Sequence, residues 1–66
     1  MRFMEILKEL RIEKGLSQAQ LAKNINVSQK SISNWETGYR QPDYEILVLL
    51  AKYFEVTTDY LLGLDD

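Results

Sequence analysis

Nothing in this chain can staple it. Its 66 residues include no cysteine and no histidine. Disulfides and Cys/His zinc sites, the usual supports of very small folds, are therefore excluded. A chain of this length buries roughly 60% of its unfolded surface, and here apolar side chains alone must supply the core. At 45% hydrophobic residues they suffice for a single domain over residues 1–66. The longest uninterrupted apolar run, residues 46–51, is far shorter than the ~20 residues that cross a membrane. Glu5 interrupts the first apolar stretch and no small-residue cleavage site follows it, which argues against a signal peptide. Together with the missing cysteine, this points to a reducing cytoplasm.

The expected fold class is all-α, because helical punctuation recurs along the chain while β-branched residues nowhere alternate. A first helix is expected over residues 2–14. Phe3, Ile6, Leu7 and Leu10 share one face at helical spacing, and Gly15 stands where a helix C-terminal glycine belongs. A second helix opens at Ser17 and runs to about residue 24. Ser17 and Gln20 have capping-box spacing, and Leu16 with Leu21 forms a hydrophobic staple. A third spans about residues 28–37, with Ser28 as N-cap, Val27 and Ile32 as staple, and Gly38 as terminator. A fourth follows Pro42 and is capped by Asp43, with Glu45 placed to suit the helix dipole. Ile46, Leu47, Leu50, Ala51 and Phe54 are its buried stripe. A fifth opens at Thr57, is stapled by Val56 and Leu61, and ends at Gly63. No internal repeat and no linker are evident.

The net charge is −2, but it is unevenly spread. Residues 1–40 hold seven Lys or Arg against four Glu, and residues 41–66 hold one Lys against six Asp or Glu. A basic half can meet a polyanion if the acidic half faces away. Solvation of a helical surface would use the same residues.

Only about three residues, Ile25, Asn26 and Val27, separate the second and third helices. So tight a link forces the two to cross steeply, as in a helix-turn-helix, whose second helix enters the major groove of DNA. With Gln29 set at 0° and ~100° per residue, Ser33 falls at ~40°, Lys30 at ~100° and Asn34 at ~140°. Trp35 at ~240° and Ile32 at ~300° point the opposite way. Gln29, Lys30, Ser33 and Asn34 therefore face outward. Glutamine and asparagine suit N6 and N7 of adenine, and lysine suits O6 and N7 of guanine. Ordinary exposed helix faces carry these types too, but this quartet occupies the first turns of the second helix in a tight pair. Ser17 and Gln18, with the free N–H groups of the second helix, are candidates for a phosphate contact, although Ser17 also serves as a plain cap. Tyr39 and Arg40, just past the third helix, are candidates for gripping the DNA backbone, or they form an ordinary polar loop.

The same residues carry a resemblance. Leu10-Arg11, Gly15-Leu16-Ser17-Gln18, Leu21-Ala22, Val27-Ser28, Ser31-Ile32-Ser33, Trp35-Glu36 and Gly38 occur in order. Pro42, Leu47, Leu50-Ala51, Phe54, Val56 and Asp59-Tyr60-Leu61-Leu62-Gly63 follow. The chain resembles the helix-turn-helix family of the lambdoid phage repressors and Cro proteins, the XRE or Cro/CI type, over residues 6–63. The resemblance implies a five-helix, lambda-repressor-like DNA-binding domain and a sequence-specific transcriptional regulator, in particular a repressor. It places Gln29, Lys30 and Asn34 at base-reading positions, with Ser33 beside them, and Gln18 at a phosphate contact. It places Ser28 where phosphate or a thymine methyl is touched, Trp35 in the core, and Arg11 with Glu36 in a supporting salt bridge. Two positions depart from the family pattern. Asn26 replaces the usual turn glycine, and asparagine tolerates the left-handed conformation better than most residues. The loop after the third helix has one cation, Arg40, where some relatives have more.

A module this small buries only roughly 600–1,000 Å² on DNA, so a homodimer on a palindromic site is expected. Tyr60 and Leu64 are the candidate dimer contacts, while Leu61 and Leu62 complete the monomer core. The competing reading is an antitoxin-like or adaptor protein that uses the same fold for protein–protein interaction, favoured by the acidic residues 41–66. An enzyme is not indicated. There is no His or Cys, no glycine-rich phosphate loop and no convincing carboxylate pair, and Asp65 with Asp66 reads as a solvated tail. No cofactor, metal, membrane or small-molecule ligand is expected.

Overall fold

In the computed structural model, residues 2–64 are described. Met1 lies outside them, and so does the terminal pair Asp65 and Asp66. Five helices follow in order: α1 Arg2–Glu13, α2 Gln18–Ile25, α3 Gln29–Thr37, α4 Tyr44–Phe54 and α5 Thr58–Leu61. No strand occurs among the described residues.

Local chemistry sets where the last four helices begin. Ser17, Ser28, Asp43 and Thr57 are extended N-caps, and each side chain accepts an N–H of the first turn. This satisfies a donor that the helix itself cannot. At Ser17 the capping box is complete, because the Gln20 side chain accepts the Ser17 N–H at 2.8 Å. The expected end of the second helix moves one residue on, to Ile25. The expected fifth helix is shorter than its span to Gly63, because only Thr58–Leu61 is helical.

The helix ends are equally regular. Gly15, Asn26, Glu55 and Gly63 are all left-handed, at φ 72°, 63°, 59° and 78°. In each case the next residue donates its N–H five residues back: Leu16 to Arg11, Val27 to Ala22, Val56 to Ala51 and Leu64 to Asp59, at 2.8–3.1 Å. This is the Schellman arrangement, which satisfies terminal carbonyls and brings an apolar residue back onto the helix. Leu16, Val27 and Val56 pack against the core. Leu64, at the same position of the fourth such end, is 71% exposed.

The expectation of no internal repeat is corrected by these termini. Residues 21–32 and 50–61 are two copies of one helix-turn-helix pattern. Leu21/Leu50, Ala22/Ala51, Lys23/Lys52 and Val27/Val56 are identical pairs. Ile25/Phe54 and Ile32/Leu61 are both buried, and Ser28/Thr57 are both N-caps. The equivalent residues Asn24 and Tyr53 meet, the Asn24 amide donating to the Tyr53 hydroxyl at 2.9 Å.

One core holds the five helices. α1 packs on α3 and α5, α2 on α3 and α4, and α4 on α5. Phe3, Ile6 and Leu7 of α1, Leu21, Ala22 and Ile25 of α2, Ile32 and Trp35 of α3, and Leu50, Ala51, Phe54 and Leu61 form the buried cluster. Ile46 and Leu47 are only half-buried at its edge. α3 ends closely against α1, since a Cβ on Gly38 would stand 2.9 Å from the Met4 sulfur.

Glu55 is the one turn residue with no intrinsic fitness for its conformation. Glu55→Asn should recover part of the ~1–2 kcal/mol that the left-handed region costs an ordinary L residue. The expected result is a higher Tm for Glu55→Asn and a lower one for Asn26→Glu. Equal Tm values for wild type and both variants would show that the turns are indifferent to the residue.

Candidate nucleic-acid interface

The outward face of α3 is built by opposition. Ile32 and Trp35 enter the core, which turns Gln29, Lys30, Ser33 and Asn34 away from it. Gln29 and Lys30 are exposed. Ser33 and Asn34, one turn further along the helix, are half-buried rather than fully exposed. None of the four side chains makes a hydrogen bond or ion pair among the described residues. The other hydroxyls of α3 and its N-cap are committed. Ser28 Oγ accepts the Ser31 N–H at 3.1 Å and lies 3.0 Å from Ser31 Oγ. The Thr37 hydroxyl donates to the Asn34 carbonyl at 3.2 Å.

Arg11, Gln18 and Glu36 come together from α1, α2 and α3. Arg11 Nε and Nη2 donate to the two Glu36 oxygens at 2.7 and 3.0 Å, and Nη1 donates to the Leu16 carbonyl at 2.8 Å. Gln18 Nε2 donates to Glu36 Oε1 at 3.1 Å. The Arg11 side chain is 11% exposed and that of Glu36 4%. The hydrogen bonds to Glu36 raise the Arg11 pKa above its already high ordinary value, although burial acts in the opposite sense. The ion pair thus fixes the start of α2 against α3 and sets the Gln18 side chain at that junction. Sequence spacing alone points to neither the Gln18 nor the Leu16 bond, because both depend on how the α1–α2 loop folds back.

At the α2 N-terminus the Ser17 hydroxyl is used by the Gln20 N–H at 3.0 Å. The N–H groups of the two residues before Gln20 have no intrahelical partner and form an anion-favouring end. Past α3, Tyr39 is 73% exposed. The Arg40 guanidinium lies 5.7 Å from the Tyr39 ring centroid, and the Arg40 N–H donates to the Asn34 carbonyl at 3.3 Å. The loop is thereby tied to the C-terminal end of α3. Tyr60 is 41% exposed; it lies on α5, which packs on α1 and α4. The described residues gather no cluster of metal-ligating side chains, and no helix among them is long and apolar enough to cross a membrane.

Comparison with known proteins gives a consistent result. The helix-turn-helix family model HTH_3 matches residues 7–61. The chain is 42% identical over 60 residues to the HTH-type transcriptional regulator ImmR of Bacillus subtilis (strain 168), covering 91% of this chain and 47% of that protein. It is 47% identical over 63 residues to the HTH-type transcriptional activator BcrR of Enterococcus faecalis, covering 96% of this chain and 31% of that protein. The chain therefore spans less than half the length of these two relatives. Its fold superposes on the P22 c2 repressor protein, solved in complex with a synthetic operator, with a TM-score of 0.87 and 35% identity, covering 96% of each chain. On the family match and this superposition, the chain belongs to the helix-turn-helix family of the XRE, Cro/CI type.

Proposed function

We propose that this chain binds double-stranded DNA sequence-specifically, with α3 in the major groove, and regulates transcription. The observation that carries the proposal is the uncommitted face of α3. Four polar side chains point outward without internal partners, while the other hydroxyls of α3 and its N-cap are engaged. In this reading Gln29, Lys30, Ser33 and Asn34 meet base edges. Ser17, Gln18, Ser28, Tyr39 and Arg40 contact the backbone and set the register. The hydroxyls of Ser17 and Ser28 can still donate to phosphate while their oxygens cap. Arg11 and Glu36 support the site by holding Gln18. No cofactor or small-molecule ligand is called on, and the protein acts in the cytoplasm, where bacterial and phage DNA is read.

The site is completed by a second copy. Tyr60 and Leu64 form the contact between protomers, which places two α3 helices about one helical turn apart on a palindrome. Leu64 supports this, because the equivalent residues at three other helix ends are packed and Leu64 is not. Repression by occupying the site needs no further surface. Of the relatives, one is named an activator and the P22 protein a repressor.

Selection from a random duplex library at near-physiological salt tests the proposal. The expected result is an enriched palindrome with half-site centres about 10 base pairs apart. Weak, purely salt-dependent binding with no enrichment would instead favour the protein-interaction reading that the acidic residues 41–66 allow. Gln18→Ala should weaken every duplex by a similar factor, since phosphate contacts carry no sequence information. A loss confined to the selected site would take Gln18 out of the backbone set.

A further inference from the structure

We propose that Met4 is an oxidation site through which peroxide-class oxidants loosen the C-terminal end of α3 and so weaken DNA binding; the DNA part rests on the role of α3 above. The end of α3 differs from the other four. At those, the residue after the turn donates its N–H five residues back at 2.8–3.1 Å. Past Gly38, left-handed at φ 81°, the Asn34 carbonyl instead receives the Arg40 N–H, six residues on, at 3.3 Å. The Thr37 hydroxyl shares that carbonyl at 3.2 Å. At three of the other ends the residue after the turn packs on the core, as Leu16, Val27 and Val56. Here it is Tyr39, 73% exposed. Only the end of α3 lacks both the regular bond and the apolar clamp.

Its cover comes from α1. A Cβ built on Gly38 would stand 2.9 Å from the Met4 sulfur and 3.7 Å from the Met4 methyl carbon. Among the described residues, nothing else beyond the two chain neighbours of Gly38 comes within 4 Å of that point. Met4 therefore packs under the turn that leads to Tyr39 and Arg40. The chain has no cysteine and two methionines, and Met4 is half-buried rather than enclosed. With hydrogen peroxide, a sulfur lone pair attacks one peroxide oxygen and the O–O bond breaks. The sulfur is oxidised by two electrons and keeps that oxygen, whose proton passes to the departing hydroxide to give water. A flexible apolar thioether becomes a polar, chiral sulfoxide. The new oxygen has no room between sulfur and Gly38 and is drawn to water, so the side chain turns outward and uncovers the turn. Tyr39 and Arg40 then lose their fixed position, and with it a backbone contact that carries no sequence information.

The test treats the wild-type chain and Met4→Leu with hydrogen peroxide, and mass spectrometry locates the added oxygen. Leucine fills similar volume without an oxidisable sulfur, and Met1 remains in both proteins. In oxidised wild type the amides of Gly38, Tyr39 and Arg40 should exchange faster while those of α2 stay slow. Affinity for every duplex should fall about two- to tenfold, the weight of one hydrogen bond, with the preferred sequence unchanged. Methionine sulfoxide reductase should restore both properties, and oxidised Met4→Leu should behave as its untreated form. An unreactive Met4, faster exchange spread over all helices, or equal loss in both proteins overturns the proposal. Faster exchange confined to Gly38, Tyr39 and Arg40 with full DNA affinity overturns its DNA half. A wild-type chain that binds no duplex before treatment removes the DNA-reading role itself, and the exchange result still decides the Met4 site.

Discussion

Replacing Arg11 with alanine should cost about 1–3 kcal/mol, because the ion pair is part-buried and the carboxylate left behind loses two of its donors. A domain of this size holds only about 0.05–0.15 kcal/mol per residue, so the variant should lose a substantial share of its stability and melt well below wild type. The cause is the group left behind. Glu36 is 4% exposed and would keep one donor, Gln18 at 3.1 Å, in place of three. The Leu16 carbonyl would lose its 2.8 Å donor as well. Because the folded pKa of Arg11 is raised, its contribution is complete below the unfolded pKa and is lost only as pH climbs through the folded value, far into alkali. The deficit of Arg11→Ala should therefore not vary across neutral pH through Arg11. The double variant Arg11→Met, Glu36→Leu removes both charges and fills the space, so it should recover most of the stability or exceed it. It should nevertheless bind all duplexes more weakly, since Gln18 loses the carboxylate that sets it. Urea unfolding of the single and double variants, followed by circular dichroism, separates the two effects. A single variant as stable as wild type would show that the pair contributes nothing net.

What the sequence made legible was the chemistry of single positions. Ser17, Ser28, Asp43 and Thr57 are recognisable caps because a cap depends on a side chain and the backbone three residues on, and all four begin helices. The division of α3 into an inner pair and an outer quartet follows from helical pitch alone, and Ile32 and Trp35 are buried accordingly. Asn26 is left-handed, as the turn requires. Three things escaped. Glu55 takes the same conformation, but nothing about glutamate announces it. The repeat of residues 21–32 in residues 50–61 was signalled by four identical pairs, but these were too few to stand out until matching burial and turn geometry joined them. The Gln18–Glu36 bond joins residues 18 apart in sequence, and its existence depends on the crossing of α2 and α3. Local rules thus reached the helices and the face, while the cross-links between helices needed the fold.

Leu61→Ala should undo α5, and with it the proposed contact between protomers. A helix of four residues cannot sustain itself, since nucleation alone is unfavourable and isolated helices are marginal below ~12–15 residues. α5 is held by tertiary contacts, and Leu61, fully buried among α1, α4 and α5 residues, is the main one. Gly63 adds a close approach to α1, where a Cβ would stand 2.6 Å from Arg2 Cβ. Leucine-to-alanine changes at such sites cost about 2.7–5 kcal/mol, but part of that can be avoided if α5 detaches while α1–α4 stay folded. Hydrogen exchange should then show protection lost at the α5 amides first, with the α2–α3 amides still slow. On DNA, affinity for an isolated half-site should fall little, whereas the advantage of the full palindrome should vanish, because that advantage comes from tethering two α3 helices. Leu64→Asp is the companion variant. Leu64 is 71% exposed, so this change should leave Tm unaltered and reproduce only the second effect. If Leu64→Asp keeps full palindrome affinity, the protomers meet elsewhere. If Leu61→Ala exposes α2–α3 as fast as α5, the two helix-turn-helix units unfold as one, and reading and pairing cannot be separated by mutation.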